Sequence, residues 1–146
     1  MKSLKITIIG LLTLFSSHLL AEEMSSISYT RMYSDADGVS HFEDVLMDMT
    51  MVELASGEQA AMSNFDVGSS ATVMMIEPGA YEDWHGSPNA QLMVVVQGVA
   101  EVQVSDGEIR QFGPGDVMIM EDVDPGHTTR TIGDIPHAAL MIPLKR

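Results

Sequence analysis

Gly79-Ala80-Tyr81-Glu82-Asp83-Trp84-His85-Gly86-Ser87-Pro88-Asn89-Ala90-Gln91, the apolar run 92–96 and then Gly98 form the stretch that decides the fold. A second block, from Gly113-Pro114-Gly115-Asp116 to Gly126-His127, repeats its plan of glycine-rich turn, apolar strand and one histidine beside a turn. The run 92–96 is wholly apolar, as expected for a strand covered on both faces. Downstream, 99–104 alternates, with Glu101 and Gln103 outward, and Ser105-Asp106-Gly107-Glu108 turns it into 109–112. Further strands are expected over 117–120, 128–132 and 138–144. Upstream, 27–33 reads as a strand, 39–54 as one long alternating strand, and 70–76 as an apolar strand stopped by Glu77-Pro78-Gly79. Residues 59–65 read equally as a turn of helix or as loop. No segment after residue 21 keeps a helical period for three turns, which predicts an all-β sandwich or barrel. Gly79, Gly98 and Gly115 stand where strands end in turns, and Asp116 is placed to accept hydrogen bonds from turn amides.

The start of the chain reads differently. Met1-Lys2-Ser3-Leu4-Lys5 precedes an apolar run to Leu20, and Ala21 stands before Glu22-Glu23, the pattern of a secretory signal peptide over residues 1–21. The run is barely long enough to span a bilayer, and His18 interrupts it, so no stable membrane insertion is expected after cleavage. A periplasmic or secreted protein of about 125 residues would remain, enough for one core. With no cysteine, it has neither disulfides nor thiolate chemistry. Loss of Lys2 and Lys5 would leave five basic against 21 acidic residues, a formal charge of −16. Such a surface repels phosphate backbones, so nucleic acid is excluded as a natural partner. The thirteen methionines fall mostly at strand positions, where they read as adaptable core filler, with a few available to line a pocket.

Gly79, His85, Ser87, Gln91 and Gly98 at these spacings, with Gly115-Asp116 and His127 downstream, resemble the two motifs of the cupin superfamily. The resemblance covers about residues 70–132, and the segment Asp37-Gly38-Val39-Ser40-His41-Phe42 is similar to the start of small single-domain cupins. It implies a small cupin-type β-barrel, a double-stranded β-helix of jelly-roll kind, over residues 35–146, with 22–34 as an N-terminal arm or first strand. Cupins commonly have histidine, histidine and glutamate where this chain has His85, Ser87 and Gln91, and proline where it has Glu121. The interval from Gly115 to His127 is one residue longer than usual. The superfamily contains dioxygenases, isomerases, decarboxylases, lyases and binding domains without catalysis, and its members often form homodimers. The resemblance therefore narrows the fold far more than the reaction.

In a cupin register, His85, Gln91 and His127 would converge in the barrel mouth. Two imidazoles and a neutral amide make an incomplete site for Fe, Mn, Ni, Zn or Cu, because the charge-compensating carboxylate is missing. His41, Glu82, Asp83, Glu121 and His137 are the remaining residues that could complete it, although His137, after Pro136, reads as an exposed loop end. Three functions follow. A small-molecule-binding pocket, in which His85 and His127 could also act as acid–base groups, needs only groups that are present. A metal-dependent dioxygenase, isomerase or lyase would place the ion on His85, Gln91 and His127, with Tyr81 or His41 as proton donor. The third is a non-catalytic structural or interaction module. Trp84 and His41 are further ligand-contact candidates, and Tyr81 shares a strand face with Asp83 and His85 if that strand is regular.

Overall fold

The computed structural model describes residues 27–145; the expected signal peptide, and residues 22–26 of the expected arm, lie outside the described residues. The described strands are, in order, β1 (Ser28–Ser34), β2 (Ser40–Leu46), β3 (Thr50–Glu53), β4 (Gln59–Met62), β5 (Thr72–Ile76), β6 (Tyr81–His85), β7 (Gln91–Gln97), β8 (Val99–Val104), β9 (Ile109–Phe112), β10 (Val117–Glu121), β11 (His127–Ile132) and β12 (His137–Pro143). All regular structure described is β. The chain forms two compact units. The smaller includes Leu46–Ser63 and carries the β3–β4 hairpin, paired from Thr50↔Met62 to Glu53↔Gln59.

The larger unit, Ser28–Val45 with Asn64 onward, holds a six-stranded sheet in the order β2-β1-β10-β7-β12-β5 and a four-stranded sheet in the order β6-β11-β8-β9. Met32, Met93, Val95, Met118, Met120 and Ala139 from the first sheet pack with Ala100, Val102, Val104 and Phe112 from the second in one core cluster. β8 shows the cause most simply. Its burial alternates strictly, so Ala100, Val102 and Val104 face inward while Glu101 and Gln103 lie outside the core. The Gly107 turn then returns the chain as β9 in antiparallel register. Asp116 plays its expected part, its Oδ2 accepting from the Gly113 amide at 2.7 Å. This is cupin-like strand topology. The all-β class and this topology are those expected of the chain, and among the described ladders none joins the edges of the two sheets into a closed barrel.

Two expectations for the upstream half change. The single long strand over 39–54 is two strands with different partners: β2 lies beside β1, whereas β3 pairs with β4. Alternation records which face is covered but carries no information about which strand supplies the ladder. The ambiguous segment 59–65 begins as strand β4, because Gly57 closes a hairpin in which Leu54 N donates to Glu58 O at 2.8 Å.

Candidate functional site

The ladder between β6 and β11 sets His85 and His127 directly opposite each other. Their ring centroids lie 4.3 Å apart with the planes inclined by 53°. Beyond that pair the register slips by one residue, so Glu82 faces Thr129 and Tyr81 faces Arg130. A one-residue slip exchanges the two faces of a strand. Glu82 and His85, an odd number of positions apart, therefore both line one cavity of about 510 Å³. Five methionines, Met74, Met93, Met118, Met120 and Met141, supply much of its wall, and Gln91 also borders it. A mostly apolar cavity with a few polar groups at fixed points is the usual form of a small-molecule site.

Both imidazoles are held through Nδ1. His85 Nδ1 donates to the Asp83 carbonyl at 2.7 Å, and His127 Nδ1 donates to Asp122 Oδ2 at 2.6 Å. Because each partner is an acceptor, Nδ1 carries a proton in both rings, and Nε2 is the nitrogen that remains for other partners. His85 Nε2 stands 3.5 Å from Glu82 Oε2. Asp122 and His127 are each 1% exposed. The second Asp122 oxygen accepts from Ser87 Oγ at 2.7 Å, and the Ser87 amide donates to the Asp122 carbonyl at 3.0 Å. Ser87 thus ties the segment after β6 to the segment after β10 and fixes the carboxylate that orients His127.

Glycines bring the two histidine segments into contact. Gly126, with φ +73°, packs its Cα face against the His85 carbonyl, where a Cβ would collide. A Cβ on Gly86 would lie 2.7 Å from the Asp124 amide nitrogen. Ser40 adds a hydroxyl donated to the Gly126 carbonyl. The site is therefore built by backbone approach as much as by side-chain choice.

Residues 72–143, from the start of β5 to the end of β12, match the cupin domain. This stretch is a cupin domain. Among curated proteins none matches the chain in sequence. Solved structures of similar fold include an uncharacterised conserved protein with a double-stranded β-helix domain from Klebsiella pneumoniae, 23% identical over 51% of this chain and 61% of that one, with a TM-score of 0.43. An oxalate decarboxylase variant from Bacillus subtilis is 28% identical over 51% of this chain and 21% of its own length, with a TM-score of 0.40. A DMSP lyase from Ruegeria pomeroyi is 17% identical over 97% of this chain and 66% of that one, with a TM-score of 0.45. The chain spans less than two thirds of each of these three.

The metal expected of many cupins can be tested against the donors this cupin domain presents. Among the described residues no group of three or more His, Cys, Asp or Glu side chains gathers as a metal site. Ser87, at the usual second-histidine position, is engaged with Asp122. Gln91 offers only a neutral carbonyl oxygen, and Glu121, 2.8 Å from Arg31 Nε, is ion-paired with that guanidinium. The donor set does not fit a resident divalent ion, which needs three or four converging ligands.

The remaining candidates are placed apart. The cavity of the cupin domain brings His85, Gln91, His127 and Glu82 together but is not lined by Tyr81, Trp84 or His41. Tyr81 lies under the Arg130 guanidinium, 5.1 Å from its ring centroid, and its hydroxyl is 3.5 Å from Asp83 Oδ1. The register slip is why Tyr81 does not share the cavity with His85. Trp84 is exposed, as strand alternation from His85 requires. His137, expected at an exposed loop end, is instead 1% exposed and lines the cavity. Its strand lies between β7 and β5, so its first residue is covered on both sides. Asp122 was not legible as a site residue, since no motif spacing singles it out, and His137 was only one of five residues that could complete the site.

His41 belongs to a surface ion-pair cluster. Nε2 lies 3.0 Å from Asp35 Oδ2 and Nδ1 2.7 Å from Asp106 Oδ2. The bond to Asp35 and then the bond to Asp106 raise its pKa above the ordinary imidazole value. The stabilisation is complete below about pH 6.5 and is lost as the pH climbs through the raised folded value. Asp35 is lowered chiefly by its bond to His41, and Asp106 chiefly by the Glu108 amide. Their contributions are present above about pH 3.9 and fade as the pH falls through the lowered values. Denaturant titrations should show wild-type stability declining above pH 6.5 relative to His41→Gln, whose profile is flatter there. Parallel profiles for the two proteins would remove this cluster from the pH response.

Proposed function

We propose that the protein is an exported cupin-domain protein, periplasmic or secreted, whose cavity binds a small organic molecule with His85 and His127 at its polar end. The observation that carries this reading is the methionine-walled cavity of about 510 Å³ lined by two Nδ1-anchored imidazoles. Such a wall accepts varied apolar shapes, because methionine is flexible and polarizable. The Nε2 atoms are the groups available to orient a ligand by hydrogen bonding or to exchange a proton with it.

The test uses purified protein carrying carbon-13 methionine methyls and a panel of small apolar fragments, each with one polar group. Binding fragments should shift the methyl signals of the five cavity methionines together, more than that of Met32, which is buried but does not line the cavity. His85→Ala or His127→Ala should weaken the best fragment by roughly tenfold, about 1.4 kcal/mol. Failure of every fragment to move the cavity methyls at millimolar concentration would reject the binding site.

The second reading is a metal-dependent enzyme of dioxygenase, isomerase or lyase type. What favours it is that both Nδ1 atoms are already bonded, so the two Nε2 atoms are two of the three or four donors an ion needs, and the reading requires the rest from water or substrate. Elemental analysis of protein prepared without an affinity tag separates the two. Stoichiometric Fe, Mn, Ni, Zn or Cu that vanishes in the His85→Ala, His127→Ala double variant would replace the first reading with the second.

A further inference from the structure

We infer that the cavity holds a soft monovalent metal ion, Cu(I), between the Nε2 atoms of His85 and His127 and the thioethers of Met93 and Met141. The site needs the cavity but no organic occupant. Thioethers select soft Cu(I) over the harder divalent ions, and imidazole suits copper as well. One cavity is lined by both imidazoles and by five methionines. A purely apolar wall could be built equally from leucine, which matches methionine closely in volume. Sulfur is what methionine adds.

Strand register gathers the thioethers. Met93 of β7 stands directly opposite Met118 of β10 on one side and Met141 of β12 on the other. Residues opposed in this way have Cβ atoms about 4.5–5.5 Å apart on one face of a sheet, so the three methionines form a row across three strands. Met74 of β5 pairs with Ala139, two positions from Met141, and joins the row on the diagonal. Met74 and Met141 are half-buried, whereas Met93 and Met118 are buried. The row thus runs from the core outward, and the flexible methionine chain lets a sulfur turn toward an ion.

The imidazoles suit the same ion. Nδ1 of each ring is engaged, which leaves Nε2. Among the described residues, the buried side-chain nitrogen and oxygen atoms without a partner are Thr131 Oγ1 and His137 Nδ1. His127 Nε2 has no hydrogen-bond partner there and is not one of them, so it keeps surface open to the cavity. A metal ion displaces any proton that Nε2 carries. Charge fits as well. Among the described residues Glu82 is the one carboxylate on the cavity, 3.5 Å from His85 Nε2, and it offsets one positive charge. The shortage of carboxylates that counts against a divalent ion does not count against a monovalent one. A formal charge of −14 adds a field that draws cations.

Ag(I), a redox-stable substitute for Cu(I), tests the site in purified protein carrying carbon-13 methionine methyls and nitrogen-15 imidazoles. The first equivalent should move the methyls of Met93 and Met141 together with both Nε2 signals. Met51, Met62 and Met75, which are exposed, should respond only to further additions. Zn(II) should leave the methyls in place. Competition with a chromogenic Cu(I) chelator, under anaerobic reducing conditions, gives the affinity. Loss of outer-shell support alone costs a metal site about 10–100-fold, so Met93→Leu combined with Met141→Leu should weaken Cu(I) by at least about tenfold. The same double variant should still bind apolar fragments, because its wall remains apolar. Exposed methionines that respond at the same Ag(I) concentration as the cavity would mean adventitious surface binding and overturn the inference. Imidazole shifts without methyl shifts, or an unchanged Cu(I) affinity in the double variant, would overturn it too. Fragment binding with no response to Ag(I) removes the metal and leaves the organic ligand standing, and Ag(I) binding without fragment binding does the opposite. The wild-type signals decide the matter even where the double variant does not fold.

Discussion

Gly126→Ala is expected to lower the free energy of unfolding by about 4 kcal/mol, at the upper end for a single substitution. Part of this is conformational. At φ +73° an L-residue costs about 1–2 kcal/mol relative to glycine. The larger part is contact, since the new Cβ would collide with the His85 carbonyl and lie 2.7 Å from Gly86 Cα. Both obstacles are backbone, held by the β6–β11 ladder, and neither can turn aside as a side chain would. Gly107→Ala is the control. Its φ is +97° and nothing lies within 4 Å of the new methyl, so only the conformational cost of about 1–2 kcal/mol applies. Denaturant midpoints of the two variants measure the difference. Equal losses would mean that the His85 and His127 segments separate easily, and the close approach would then not be what sets the imidazoles together.

Asp122→Ala is the second large effect, with an expected loss of about 3 kcal/mol. The substitution removes the acceptor for His127 Nδ1 and for Ser87 Oγ in a place where Asp122 is 1% exposed. Water cannot readily replace a buried acceptor, so the donors keep their desolvation cost without a partner. Asp122→Asn retains one carbonyl oxygen, enough for one of the two donors, and should lose about half as much. Ser87→Ala should lose less, about 1–2 kcal/mol, because it leaves one Asp122 oxygen without its donor but keeps the bond to His127. Chemical denaturation gives the ranking, and fragment binding should weaken in the same order as the orientation of His127 is released. A loss in Asp122→Ala no larger than in Ser87→Ala would show that the carboxylate does not anchor the imidazole.

Much of the fold was legible because its signals are local. The apolar run in β7, the alternation in β8 and the glycine turns before β10 and after β8 each follow from neighbouring residues and strand periodicity. His85, Gln91 and His127 were legible as a group through the two motifs, and the structure places all three on the cavity. Ser87 was read as a poor ligand, but its actual partner Asp122 lies 35 residues away, beyond any local pattern. Tyr81 was assigned to the face of His85 on the condition of a regular strand, and a one-residue slip against β11 removed that condition. His137 followed a proline and looked exposed, because its burial depends on β5 and β7 arriving on either side.

From sequence alone come the all-β class, the placement of most strands and turns, the cupin resemblance, the acidic character and the lack of a full set of metal ligands. Those properties depend on residue identity and on intervals of a few positions, which hydrophobic periodicity and turn chemistry translate directly. Tertiary structure alone decided that two separate sheets form the larger unit, that Asp122 holds His127, that Glu82 joins the histidines while Tyr81 does not, and that His137 faces the interior. Each of these depends on register and pairing between distant strands. A single step of register exchanges the inside of a strand for its outside, and no local stretch of sequence records that step.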